Sequence, residues 1–444
     1  MEERRLLQMG KAATKWSPLF PMPRFSLPSL SLSSLRGWLG VVLVAGMVGA
    51  MAGSASALFL WLLEGATRQQ WEHPWLLWCL PVAGLVIAWG YGRWGRAAGM
   101  DALLEELQRP QQGLSMLMAP LVLAGTVLTH LCGGSAGREG TAVQMGGSLA
   151  ATLARLFRQP PERHGVWLLA GMAGGFGSVF GTPIAGAVFA MEVVVAGRWN
   201  FAATVPTLVA SVVGHLTCLA WGIEHTNYRL LVPHLDASWA LLGKVIVAGG
   251  LFGWLAWAYC GFAHGLQRRL SLWMPSPLLR VMVGGVGIIA MTYALGTRDY
   301  LGLGVRSATP NGVSLLACFQ EHGATPWSWW WKFLFTAVTL ASGFKGGEVT
   351  PLFFIGAAAG HTLGVLGNES VALFAALGVM TVFSSAAKVP LTGAILGVEL
   401  FGAPVASLGA LACAVAYLAS GRRGLYAAQG RRDDTHGQKP PDPL

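Results

Sequence analysis

The sequence predicts an all-helical protein that crosses a membrane many times and is built from two related halves with interrupted helices. Three observations carry this expectation. The 444 residues are 54% hydrophobic and only 11% charged, where soluble chains carry about a quarter charged residues. Long apolar runs recur along the whole chain. Two separated segments then repeat the same unusual pattern of Gly, Pro and Glu in register.

The apolar runs at 39–63, 75–91, 115–131, 203–221, 245–263, 280–295, 328–343 and 403–419 are each long enough, or nearly so, to cross about 30 Å of hydrocarbon. Shorter runs at 142–156, 166–180, 184–195, 350–366, 370–383 and 390–401 read as broken or re-entrant helices. Membranes tolerate these only where protein or a water-filled cavity covers the backbone. Sixty glycines fit helices that pack closely through small residues, and Gly171-x-x-x-Gly175 and Gly356-x-x-x-Gly360 read as such contacts inside one protomer. Trp327, Trp329, Trp330 and Trp331 read as an interfacial aromatic belt.

The net charge of +10 comes partly from basic clusters near the start, at Arg268-Arg269, and at Arg422-Arg423 and Arg431-Arg432. Basic loops stay cytoplasmic, so both termini are expected inside, with the lipid bilayer rather than nucleic acid as the partner. The first 38 residues lack a signal-peptide pattern. The expected divisions are a cytoplasmic segment 1–37, membrane repeats 38–225 and 226–430, and a polar, disordered cytoplasmic tail 431–444. The six cysteines lie far apart, with no CxxC pair and no His at metal-ligand spacing, so no metal, cofactor or disulfide is expected.

The repeat is explicit. Residues 176–192 (FGSVFGTPIAGAVFAME) align with 383–399 (FSSAAKVPLTGAILGVE) at an offset of 383 − 176 = 207. The identities include Pro183 with Pro390 and Glu192 with Glu399. Upstream, GGSAGREGTAVQMGG (133–147) corresponds to GFKGGEVTPLFFIGAAAG (343–360), with Gly146 and Gly356 offset by 210. Broken helices at matching positions of a duplicated chain point to a transport site between the repeats. The letters alone leave open whether the repeats run parallel or inverted.

A helix N-terminus exposes unpaired N–H groups and roughly half a positive charge. Several such ends aimed at one point hold an anion without the tight grip of a full cation. The segment after the first break is expected to be helical from residue 141, and the second from near Thr350, with Pro351 in its first turn. Glu139 is the candidate gate. Its carboxylate is itself an anion, so it competes for the site when ionised and releases it when protonated. Arg138 reads as scaffolding. Residues 133–137, GGSAG, formally match G-x-S-x-G, but no strand precedes them, and His130 and His164 show no triad arrangement, so an intramembrane hydrolase is disfavoured.

These residues resemble the CLC family of chloride channels and chloride/proton antiporters. The G-[KR]-E-G-P signature stands as Gly137-Arg138-Glu139-Gly140 with Thr141 in place of proline, and G-x-F-x-P stands as Gly347-Glu348-Val349-Thr350-Pro351. SVFGTPIAGAVFAMEV and GRRGLYAAQ resemble two further family segments, the second supplying Tyr426 as the pore tyrosine. The resemblance, spanning about 38–430, implies an inverted-repeat helical protomer, a homodimer with one pore per subunit, and Glu139 as gating glutamate. Met100, in AAGMDALLEEL, stands at or beside the family's chloride-coordinating serine, and Val193 stands where chloride/proton antiporters place an inner glutamate. With G-R-E-G-T and G-G-E-V-T-P, these departures resemble the fluoride-exporting branch, which exchanges fluoride for protons. A chloride channel or chloride/proton antiporter is the alternative. The expected anion-binding set is Met100, Gly137, Arg138, Gly140, Thr141, Glu348, Val349, Thr350 and Tyr426, with halide and protons as partners. Glu348 is a candidate to pass protons.

Overall fold

The computed structural model describes residues 32–95, 99–108, 114–160, 163–195, 199, 201–228 and 238–430. The expected tail at 431–444 lies outside them. The chain divides into two compact units, Met1–Val41 and Val42–Leu444. The first is described only from Leu32, where the first long helix begins, and every contact described below lies in the second.

Among the described residues the secondary structure is helical, apart from isolated bridges. The helices are α1 Leu32–Glu72, α2 Leu80–Trp94, α3 Met100–Gln108, α4 Met118–Leu131, α5 Glu139–Leu156, α6 His164–Phe180, α7 Pro183–Glu192, α8 Thr204–Ala220, α9 Trp239–Trp273, α10 Pro277–Leu295, α11 Ser328–Ala341, α12 Val349–Leu366, α13 Val371–Ala387, α14 Pro390–Phe401 and α15 Ala406–Ala419. Among the described residues six stretches are long and apolar enough to cross a membrane: Trp38–Glu72, Pro74–Trp94, Phe201–Ala220, Trp239–Trp273, Pro277–Leu295 and Val349–Leu366. The runs at 115–131, 328–343 and 403–419 are shorter than expected. Their helices α4, α11 and α15 have 14 residues each, about 21 Å at 1.5 Å per residue. The first two stop because glycine-rich chain follows.

The duplication is visible in packing. α4 and α11, α5 and α12, and α6 and α13 begin at equivalent residues, at offsets of 210, 210 and 207. α5 packs on α6 through Gly146 and Gly171, and α12 packs on α13 through Gly356 and Gly378. An added Cβ on any of the four would collide with the facing glycine's carbonyl. Gly175 meets Ala142, and Gly360 meets Phe374, in the same two seams, so both G-x-x-x-G pairs are intraprotomer contacts. Phe176 and its equivalent Phe383 meet each other with ring centroids 6.4 Å apart. The tryptophan segment is only partly a belt. Trp327 is 65% exposed, while Trp329, Trp330 and Trp331 pack on the core.

Among the bonds that cross between the repeats, two sets follow the duplication. The first ties the breaks. Gly137 and Gly347 form an antiparallel bridge, with Gly137 N donating to Gly347 O at 2.6 Å and Gly347 N donating to Gly137 O at 2.7 Å. Ser135 N donates to Thr339 Oγ1 at 3.2 Å, and the equivalent Lys345 N donates to Thr129 Oγ1 at 3.4 Å. The second set ties α7 to α14. Ile184 N and Ala185 N donate to the Glu399 carboxylate at 2.9 and 2.7 Å. Leu391 N, Thr392 N and Thr392 Oγ1 donate to the Glu192 carboxylate at 3.1, 2.8 and 2.7 Å. Each glutamate at the C-terminal end of one helix therefore caps the N-terminus of the other. Equivalent residues exchange equivalent bonds, so the halves are related by a two-fold axis.

Removing a buried acceptor leaves its donors unsatisfied, at roughly 1–3 kcal/mol per group. Glu192→Ala is therefore expected to lower the apparent Tm of the detergent-solubilised protein clearly, and Glu192→Gln by less. An unchanged Tm in Glu192→Ala would show that the capping does not hold the halves together.

Candidate anion site

The site is assembled where the two breaks cross. The second break lies directly over the start of α5, since a Cβ on Gly347 would stand 2.8 Å from Gly140 N and 3.1 Å from Glu139 N. Gly137 is equally confined. A Cβ there would lie 2.9 Å from Gly347 O, 2.8 Å from Pro351 Cδ and 3.0 Å from Glu139 Oε2. Glycine at 137 and 347 is therefore what lets the two helix ends, α5 and α12, come together.

Helix α5 begins at Glu139 and α12 at Val349, two residues and one residue earlier than expected. Glu139 thus lies in the first turn, where a carboxylate is favoured. Its side chain is fully buried and crosses to the other helix. Oε2 accepts from Thr350 N at 3.1 Å and from Arg138 N at 3.2 Å. Oε1 accepts the Thr350 hydroxyl and lies 3.5 Å from Arg138 Nε. The carboxylate therefore stands in for a small anion at the N-terminus of α12. Its hydrogen bonds come from two backbone N–H groups and one hydroxyl, with the Arg138 guanidinium beside it as a charge contact.

Four other expected residues fall into two groups. Val349 is buried beside Thr350, and Glu348 is the N-cap residue of α12, partly exposed, with its carbonyl accepting from Leu352 N at 3.0 Å. Tyr426 and Met100 are brought towards each other by bonds not anticipated from the sequence. Asp101, next to Met100, accepts from Ala428 N at 2.9 Å, and Gln108 Nε2 donates to Ala428 O at 2.6 Å. These bonds seat the segment after α15 against α3. The same segment is held to the ends of α7 and α13 by Gln429 Nε2, which donates to Val193 O at 2.9 Å and Ala387 O at 3.0 Å. Tyr426 lies within electrostatic reach of both Glu348 and Glu139. Met100 is 9% exposed, at the start of α3 among core side chains.

Thr141 makes no bond to the Glu139 carboxylate. Its hydroxyl pairs with Thr126 Oγ1 at 2.7 Å, and the Glu139 carboxylate draws its bonds from Thr350 and Arg138 instead. Ser135 of the G-x-S-x-G match is fully buried with its hydroxyl against Thr336 Oγ1 at 3.0 Å. His130, the histidine near it in sequence, is held by backbone carbonyls of Thr126 and Ala136. Val193 is a buried side chain, and the Glu192 carboxylate before it is engaged by the end of α14.

With this geometry in view, the relatives of the chain take on meaning. A family profile described as voltage gated chloride channel matches residues 83–421. The chain belongs to that family, the CLC proteins, and has its inverted-repeat helical fold. A chloride/fluoride channel protein of Pseudomonas syringae pv. tomato is 41% identical over 426 residues, covering 93% of this chain and 90% of the relative. The crystal structure of a CLC-type fluoride/proton antiporter is 30% identical and superposes with a TM-score of 0.84, covering 91% of this chain and all (100%) of that one. A slow cyanobacterial chloride/proton antiporter, at 18% identity, shares the fold with a TM-score of 0.72 over 86% of this chain and 94% of its own.

Thr350 supplies two of the donors to the carboxylate and Thr141 supplies none. Thr350→Val is therefore expected to weaken anion binding by about tenfold, the size of one lost hydrogen bond to a charge, measured by isothermal titration of the purified protein. Thr141→Val should shift it far less, and equal losses in the two variants would contradict this assignment.

Proposed function

We propose that the protein is a fluoride/proton antiporter that exports fluoride across the cytoplasmic membrane, with Glu139 as the gating and proton-carrying group. The observation that carries this reading is the Glu139 carboxylate seated on Thr350 N–H and O–H at the end of α12. An ionised carboxylate there excludes a competing anion. Protonation removes its charge and turns one oxygen from acceptor to donor, which weakens its hold on three donors and vacates the place for an incoming ion. Each exchange of carboxylate for anion therefore moves a proton on the carboxyl group. The inward part of the proton path falls to Glu348 and Tyr426, since Val193 has no ionisable group and Glu192 is held by α14.

Fluoride is favoured because it is small and strongly hydrated, so it gains most from a dense set of hydrogen-bond donors. The hydroxyls of Thr350 and Tyr426 and the backbone N–H groups of the breaks form such a set, with Gly137, Arg138 and Gly140 shaping it. Met100 removes the hydroxyl that a serine would offer a larger halide. The relatives described as a chloride/fluoride channel and a fluoride/proton antiporter support the same choice. The protein is read as a homodimer with both termini cytoplasmic. Ile184 and its repeat equivalent Leu391 are 51% and 42% exposed at the tips of α7 and α14, and Leu216 on α8 is 56% exposed, an apolar surface suited to a second copy or to lipid.

Fluoride and chloride efflux from proteoliposomes, measured side by side, test the ion. Fluoride is expected to leave much faster, and equal rates would shift the reading to a chloride transporter of the same fold. Glu139→Gln cannot ionise, so it is expected to abolish fluoride-driven uphill proton movement. Normal coupling in that variant would remove Glu139 from the proton path.

A further inference from the structure

The first break carries a side chain that the second lacks. His130 lies in the last turn of α4 and is 1% exposed. Its Nδ1 is 2.8 Å from the carbonyl oxygen of Thr126, and its Nε2 is 2.9 Å from the carbonyl oxygen of Ala136. Both partners only accept hydrogen bonds. A neutral imidazole has one N–H, so it donates to one carbonyl and turns a lone pair towards the other; the imidazolium donates to both. The equivalent position in the second repeat, 130 + 210, is Leu340, so this grip acts on one break only.

The carbonyl that His130 holds is well placed to matter. Ala136 is followed by Gly137, the bridge residue, and then by Arg138 and Glu139. The other partner, Thr126, also holds α5 just beyond Glu139 through the 2.7 Å pairing of its hydroxyl with Thr141. His130 is therefore connected to the chain on both sides of Glu139. Two cations are within electrostatic reach, Arg138 from the break and Lys332 from α11. Lys332 is fully buried and donates to the carbonyls of Tyr300 and Gly302 at 3.2 and 2.8 Å. Both facing carbonyl oxygens can accept from the ring, so a second N–H on His130 has a partner already in place.

We propose that His130 is a positioning residue for Glu139, holding the first break in the register that lets the carboxylate reach α12, with a grip that tightens when the imidazole gains its second proton. The neutral ring donates one bond, and the protonated ring donates two. The sign is opposite to that of protonation on Glu139. A proton on His130 keeps the carboxylate in place and slows anion movement, whereas a proton on Glu139 vacates the site. This inference rests on Glu139 being the gate.

The test uses the full chain in proteoliposomes, as wild type, His130→Gln and His130→Leu. Anion efflux is followed from neutral pH down to about pH 5, the range in which histidine changes charge, and each profile is normalised to its own neutral rate. Gln keeps one donor for Ala136 but cannot gain a second, so His130→Gln is expected to lose an acid-side slowing and to exceed the normalised wild-type rate several-fold at the acid end. Superimposable profiles for wild type and His130→Gln overturn the proposal. His130→Leu has no donor for either carbonyl, so it is expected to pass anion several-fold faster than wild type at neutral pH and to lack the acid-side slowing; should it fail to fold, the glutamine variant carries the test. A second readout needs no transport. In the nitrogen NMR spectrum of histidine-labelled protein, imidazolium signals that grow on acidification and are missing in His130→Gln support the grip, and a ring that stays neutral overturns it. Retained proton coupling in Glu139→Gln would instead overturn the gate and leave the ring signal unchanged.

Discussion

The exchange of two backbone hydrogen bonds between Gly137 and Gly347 is the constraint on which the rest of the structure depends. It joins two points 210 residues apart in the chain, and it does so in the middle of an apolar protein, where an unpaired N–H or C=O costs several kcal/mol. Once the bridge is made, the starts of α5 and α12 lie within one or two residues of it. A single glutamate side chain can then leave one helix end and reach the other. The close glycine seams behind the bridge, between α5 and α6 and between α12 and α13, hold each helix against its neighbour so that both ends stay aimed at the same place.

The frame is two-fold symmetric, but the chemistry placed on it is not. Arg138 corresponds to Glu348, Glu139 to Val349 and Gly140 to Thr350 by the same offset of 210. The first repeat supplies the carboxylate, and the second supplies the hydroxyl and N–H that receive it. Symmetric backbone therefore provides two equivalent helix ends, and three differences between the repeats make one of them the donor surface and the other the origin of the carboxylate. A strictly symmetric version would carry either two competing carboxylates or none.

Much of this was legible in the sequence because it depends on rare residues in rare settings. A Pro and a Glu repeated at one offset in apolar segments reveal the duplication, and a charged pair on a glycine break marks the candidate site. The helix starts were misplaced by one or two residues because a helix can begin directly at the bridge, and a bridge between distant segments leaves no local mark. Thr141 was expected in the site from its position in the motif, yet a small polar side chain in a helix turns to the nearest buried partner, here Thr126. The bonds from Asp101 and Gln108 to Ala428 were invisible for a related reason. They join α3 to a segment more than 300 residues later, and polar residues at a helix surface carry no sign of which distant backbone they will meet. The short tryptophan run was half misread, since Trp329 to Trp331 meet the core where a helix turns them inward.

The reciprocal capping by Glu192 and Glu399 has a consequence beyond holding the halves together. A protein assembled from broken helices contains more than one pair of inward-facing N-termini, and each is an electrostatic trap for a passing anion. The side chains of Glu399 and Glu192 fill the ends of α7 and α14, with both oxygens of each engaged by backbone N–H groups of the opposite helix. The backbone donors at those two ends are thereby already spent. On the reading proposed above, an anion competes for the donors of α12 alone of these three ends, and the pair of glutamates keeps the other two from becoming a place where the cargo would dwell.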